Sequence, residues 1–217
     1  MSLTQAFHVF AGVSESGINT FLKALFTKRP HYLNYGSPSF VPTSTVNATS
    51  MSAIAFPGVP SGIQYAVSFS IPTLDLFPPN SGSTSPIPPG PDQFGLYTKV
   101  KLTIGCFTWQ PNKGNDERGK MVPLSVMLDV WALGTLVSHY YGPGTGYVGL
   151  QVLGIRIPAI QPHPLESVID CLIRMMLNAA LENVTLPFHV LSAGAFQLIL
   201  ESGPIIDKDQ VEVWGDI

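Results

Sequence analysis

The sequence predicts an α+β fold, and three observations predict it. A long amphipathic helix lies near the C-terminus, a shorter one lies near the N-terminus, and the block between them alternates with the period of two that strands require. In the longer helix Leu165, Val168, Ile169, Leu172, Ile173, Met176, Leu177, Ala180, Leu181 and Val184 recur at spacings of three and four, which makes one apolar stripe about five turns long. That stripe has to be covered, and the strand-rich block is what the chain offers to cover it.

Residues 5–13 alternate weakly and read as a short strand. Ser14 and Ser16 are N-cap candidates for a helix that places Ile18, Phe21, Leu22, Leu25 and Phe26 on one face, with Lys28 and Arg29 at its negative end and Pro30 as its stop. From about Tyr32 to Ser61 the composition turns to Ser, Thr, Pro and Asn, which reads as irregular or edge structure. Ile63, Tyr65, Val67, Phe69 and Ile71 then alternate with smaller or polar residues as a half-buried strand. Phe77 to Pro91 is a Pro/Ser/Gly loop and is expected to be mobile.

Between Phe94 and Trp109 the positions Leu96, Val100, Leu102, Ile104 and Cys106 oppose Lys99, Lys101 and Thr103, giving a long strand with one wet face. The charged turn at 111–120 predicts a hairpin with a second strand, in which Val122, Leu124, Val126, Leu128 and Val130 form the apolar set and which runs past Trp131. A turn at Gly142-Pro143-Gly144 leads into a further strand from Tyr147 to Ile157. After the long helix, Phe188 to Leu200 and Val211 to Trp214 are expected to close the sheet.

Composition narrows the function. With 217 residues, 45% of them hydrophobic, the chain can bury a large core. Charged residues are only 12%, against roughly 25% in ordinary soluble proteins. A net charge of −3, with no basic cluster beyond Lys99/Lys101 and Lys28-Arg29, argues against an electrostatic grip on nucleic acid or an anionic membrane. The first residues lack the pattern of a secretory signal, and no window is apolar enough to span a membrane, so the chain is expected to be soluble and cytoplasmic, without excluding export by another route.

Catalytic and metal motifs are weak. Gly144-Thr145-Gly146-Tyr147-Val148-Gly149 matches a dinucleotide-binding fingerprint, but residues 150–157 read as strand rather than as the helix that would hold a pyrophosphate. The expectation is a hairpin turn. His8, His31, His139, His163 and His189 are scattered and show no metal-binding spacing, and Asp75, Asp129 and Asp170 are expected on exposed faces. The chain is therefore expected not to be an enzyme, with no catalytic residue, no metal and no cofactor. Cys106 and Cys171 read as two buried free thiols, with a disulfide between sheet and helix as the second reading.

The apolar faces have two meanings. One is a dry core, which composition favours; the other is a groove between helix and sheet that takes a hydrophobic guest, with Met121, Met127, Met175 and Met176 as an adaptable lining.

The run Leu177-Asn178-Ala179-Ala180-Leu181-Glu182-Asn183-Val184 into Leu186-Pro187-Phe188, continued by Gly194, Phe196 and Leu198, resembles the C-terminal third of the tubular lipid-binding (TULIP) superfamily. That superfamily includes the bactericidal/permeability-increasing-like domains and bacterial relatives found with clostridial toxin clusters. The resemblance implies one TULIP-like domain over residues 1–217, with a long, strongly curved antiparallel sheet wrapped around the C-terminal helix and a short N-terminal helix. It also implies non-enzymatic binding or transport of a lipid or fatty-acid-like ligand in an apolar tunnel. The residues expected to line that seam are Phe21, Leu25, Val67, Phe69, Leu102, Ile104, Leu172, Met176 and Leu198. Access is expected beside the 77–91 loop or the 30–61 segment. Some secreted members tie sheet to helix with one disulfide, which Cys106 and Cys171 could reproduce. Transient membrane contact is compatible with such a binder. The alternative is a structural or interaction module with a filled core that forms a homodimer or pairs with a protein partner, presenting aromatics such as Tyr140, Tyr141 and Trp214.

Overall fold

The computed structural model describes residues 9–41, 46–80, 85–107, 121–142, 145–158, 164–187 and 199–216. A curved antiparallel sheet forms a half-barrel with one helix from each end of the chain. Strand β1 (Val9–Ser14) runs directly into helix α1 (Glu15–Lys28). Ser14 is extended and its hydroxyl accepts the Gly17 N–H at 3.3 Å, an N-cap that contributes about 1 kcal/mol. The Glu15 N–H is held by the Asp209 carbonyl at 2.9 Å, so the helix start is tied to the C-terminal hairpin.

The sheet is built from β2 (Asn34–Gly36), β3 (Thr49–Ser50), β4 (Ile54–Phe56), β5 (Val59–Phe69), β6 (Thr73–Leu76), β7 (Gln93–Gly105), β8 (Leu124–Gly142), β9 (Thr145–Arg156) and β10 (Thr185–Pro187). Its order among the described residues is β10-β9-β8-β7-β5-β2-β3, with β4 on β5 and β6 on β7; every pair is antiparallel except β2–β3. Helix α2 (Pro164–Leu181) packs along β9. Strands β11 (Ile199–Asp207) and β12 (Gln210–Asp216) close with β1 into a small sheet. Val213 of that sheet packs with Val148 and Leu136 of the large one.

One register explains the core. Pairing sets Phe94 opposite Gly134, Leu96 opposite Ala132, Thr98 opposite Val130, Val100 opposite Leu128 and Leu102 opposite Val126, so the even positions of both long strands share a face. Tyr65, Val67 and Phe69 join that face from β5. Leu172, Ile173, Met176, Leu177, Ala180 and Leu181 of α2 and Leu22 and Phe26 of α1 pack onto it in one cluster.

Several expectations are corrected. The strand read as ending at Ile71 stops at Phe69, and Ile71 is exposed. Val168 and Met175 turn outward, because they flank rather than occupy the buried stripe of α2. Met127 points to the outer face, and among the four methionines proposed as lining only Met176 is buried. Cys106 and Cys171 are free and exposed, neither buried nor paired. The reason is geometric: α2 lies along β9 rather than β7, and Cys106 comes just after the last residue of β7. Trp214 is buried, 5.7 Å from the ring of Phe10. Asp129 is exposed as expected, whereas Asp75 and Asp170 are half-buried. As expected, the described part of the glycine-rich fingerprint, residues 145–149, lies in β9 and not before a helix. The 111–120 turn, His8, His163, His189, Pro143-Gly144 and 188–198 lie outside the described residues.

Candidate functional site

The seam between the inner face of the sheet and α2 is where the sequence places a ligand. Alternation in β5, β7 and β8 aims their apolar side chains inward, and the stripe of α2 meets them from the other side. Val67, Phe69, Leu102, Leu172 and Met176 belong to this cluster, and Leu25 and Ile104 pack against it half-buried. Phe21 does not: it is 50% exposed on the outer side of α1. Leu22 and Phe26 are the α1 side chains that reach the core. Leu198 lies outside the described residues.

The seam is lined by apolar groups with a few satisfied polar ones. Thr98 is buried, and its hydroxyl donates to the Ser70 carbonyl at 2.9 Å. Tyr35 donates its hydroxyl to the Tyr32 carbonyl at 2.7 Å, and Tyr65 donates to the Ser52 carbonyl at 3.1 Å. Burial first, then the charges of Glu182 and Tyr32, push the Tyr35 phenol up to about 12; burial alone pushes Tyr65 up. Both remain neutral donors at ordinary pH. Curved sheet and helix together are compatible with an enclosed hydrophobic cavity.

The covering is uneven. Along β8 the inward positions Leu124, Val126, Leu128 and Val130 are 74%, 42%, 3% and 0% exposed. The same apolar face therefore passes from solvent into the core over four side chains. Val122 and Phe56 are also exposed at this end, where the β4–β5 hairpin encloses a hollow of about 620 Å³ lined by Ala53, Ala55, Phe56, Pro57 and Val59. Alternation alone predicts cover for Val122, Leu124 and Val126, because their pattern is indistinguishable from that of Leu128 and Val130.

Other hollows lie outside the seam. One of about 420 Å³ has Asn34, Ser68, Lys101 and Thr103 in its walls and shares Val67 with the seam, and one of about 630 Å³ runs beside α2 at Asp170, Cys171 and Arg174. A third, of about 590 Å³, sits at the end of α2 and contains His139, Tyr147 and Glu182. Its residues come from β8, β9, α2 and the segment after it, so no local motif announces them. Among the described residues no three metal-ligating side chains converge, and no helix is long and apolar enough to cross a membrane. No protein-family model matches the chain, and no curated protein matches it in sequence.

Proposed function

We propose that this protein is a TULIP-like, non-enzymatic binder of a lipid or similar hydrophobic molecule, which docks at the Leu124–Val126 end of the seam. The observation that supports it is the graded exposure along β8, from Leu124 at 74% to Val130 at 0%. A hydrocarbon chain laid on Leu124 and Val126 would continue an apolar surface that already exists. Each methylene removed from water contributes about 0.8 kcal/mol before the cost of ordering, so half an acyl chain suffices for useful affinity without any charge contact. Ile104, beside Leu124 in register, and Met176 further in would meet the advancing chain. Access would then lie on the 54–63 hairpin side, at the far end of β7 from the 77–91 loop.

A second reading has its own support. Val67, Leu102 and Met176 are buried members of one hydrophobic cluster, so the exposed end of the sheet would instead be covered by a second copy or a protein partner.

Native mass spectrometry with organic extraction, together with uptake of a fluorescent fatty acid, separates the two. The binder reading expects an extractable lipid or saturable uptake, lost in Leu124→Asp and Val126→Asp while the unfolding midpoint stays near that of the wild type. A clean mass with no uptake, and a dimer in sedimentation that Leu124→Asp dissolves, would replace it with the interaction module.

A further inference from the structure

The hollow at the end of α2 has a charge arrangement that the seam does not explain. A basic residue in the last turn offsets the negative end of a helix dipole, and α1 has Lys28 there. The last turn of α2 has none. Instead Glu182 comes directly after Leu181, exposed, with its N–H bonded to the Asn178 carbonyl at 2.8 Å. A carboxylate and the terminal carbonyls of the helix thus share one place, each raising the electrostatic cost of the other.

Aromatic rings stand beside that negative end. Tyr147 is stacked on His139 with ring centres 4.6 Å apart and planes 25° from parallel, and Tyr141 lies 6.1 Å from Tyr147. A hydrogen bond with Tyr141, then burial, then the charges of Tyr141 and Glu182 hold the Tyr147 phenol above its usual range, which keeps it neutral. Val137, Gln151 and Asn178 also stand in the wall of the hollow, whose volume of about 590 Å³ exceeds what a bare ion needs. The Asn178 side-chain oxygen already accepts the Val152 N–H at 3.1 Å, leaving Glu182 as the one carboxylate among the described residues of the hollow. A calcium ion takes six to eight oxygen ligands, and this wall offers a single carboxylate. Rings beside a single negative charge suit a large, weakly hydrated cation instead.

We propose that this hollow binds an organic quaternary ammonium group of the choline type, with Glu182 and the end of α2 as its anionic side and the stacked pair Tyr147 and His139 as its aromatic side. His139 and Leu124 lie toward opposite ends of β8, so the site lies away from the proposed docking end and does not depend on the proposed function. Free choline and the headgroup of a choline lipid offer the same chemistry.

The test is calorimetric and NMR titration of the full chain with choline chloride against sodium chloride at equal ionic strength. Saturable binding is expected, weakened about tenfold, or 1.4 kcal/mol, in Glu182→Gln and in Tyr147→Ala, and unchanged in Asp129→Asn on the same outer face. Glu182 is exposed, so Glu182→Gln keeps the fold and decides the matter even where Tyr147→Ala does not fold. Co-sedimentation with phosphatidylcholine vesicles, competed by free choline and absent with phosphatidylglycerol, would identify a lipid headgroup; binding of free choline alone would identify a soluble amine. Equal competition by sodium, no saturation by choline in the wild type, or wild-type binding by Glu182→Gln would overturn the proposal.

Discussion

The ring of Phe94 occupies the space that a side chain at Gly134, its partner across the β7–β8 pair, would need. A Cβ built at Gly134 meets that ring at its Cε2 atom at 2.5 Å and the Gln151 carbonyl oxygen at 2.7 Å. Phe94 is fully buried, so the ring has nowhere to retreat. Gly134→Ala is therefore expected to destabilise the protein by about 1–3 kcal/mol through overpacking. Phe94→Leu frees part of the space, and a double-mutant cycle should return about 1 kcal/mol of favourable coupling. Urea unfolding of the four proteins measures this; an unchanged midpoint in Gly134→Ala would show that the strands can separate to admit a methyl group.

Helix α1 keeps an edge strand closed. Strand β6 pairs with β7 on one side only, and α1 supplies the other side with side chains. Asn19 donates to the Leu74 carbonyl and accepts the Leu74 N–H, both at 2.8 Å, and Glu15 accepts the Leu76 N–H at 2.8 Å. The amide of Asn19 thus stands in for a neighbouring strand. Asn19→Ala leaves two backbone groups without partners beside a buried Leu74 and should cost about 1–3 kcal/mol. Amide exchange at Leu74 and Leu76 reads it directly. Exchange should quicken at Leu74 first; uniform protection in the variant would mean that water replaces the side chain at no cost.

Asn19 also marks what sequence reasoning reaches. The helix around it is legible, because Leu22 and Phe26 repeat at helical spacing behind a serine cap, and the same holds for β5, β7, β8, β9 and α2. Its bond to Leu74, 55 residues away, is not, since nothing local pairs an asparagine with a distant backbone. The same limit hides the small sheet. Val9–Ser14 pairs with the chain's other end, and Ile199–Asp207 contains Gly203-Pro204, a dipeptide that reads as a turn. Trp214, expected among the exposed aromatics of an interface, is buried against Phe10. In the candidate site, the apolar face of β8 is legible but the point at which its cover stops is not, because cover depends on where other elements end rather than on β8 itself.

The buried phenol of Tyr35 makes stability depend on pH. A tyrosine in the unfolded chain ionises near 10.0, whereas burial, Glu182 and Tyr32 hold Tyr35 up to about 12 in the native protein. Between those values the unfolded state has released a proton that the native state keeps, so stability must fall as pH rises. The contribution is complete below pH 10 and is lost progressively toward pH 12. Tyr65, raised by burial, adds to the fall in the same direction. Tyr35→Phe removes the ionisable group, so its stability should decline less steeply than that of the wild type above pH 10, even though loss of the 2.7 Å bond to Tyr32 lowers its stability at neutral pH. Glu182→Gln removes one of the charges that oppose ionisation of Tyr35, which brings the folded value closer to the unfolded one and shortens the window. Denaturant midpoints taken from neutral pH to about pH 11.5 for the three proteins test both statements. Parallel curves for wild type and Tyr35→Phe would mean that the phenol reaches water in the native protein, and that this side of the seam is open rather than sealed.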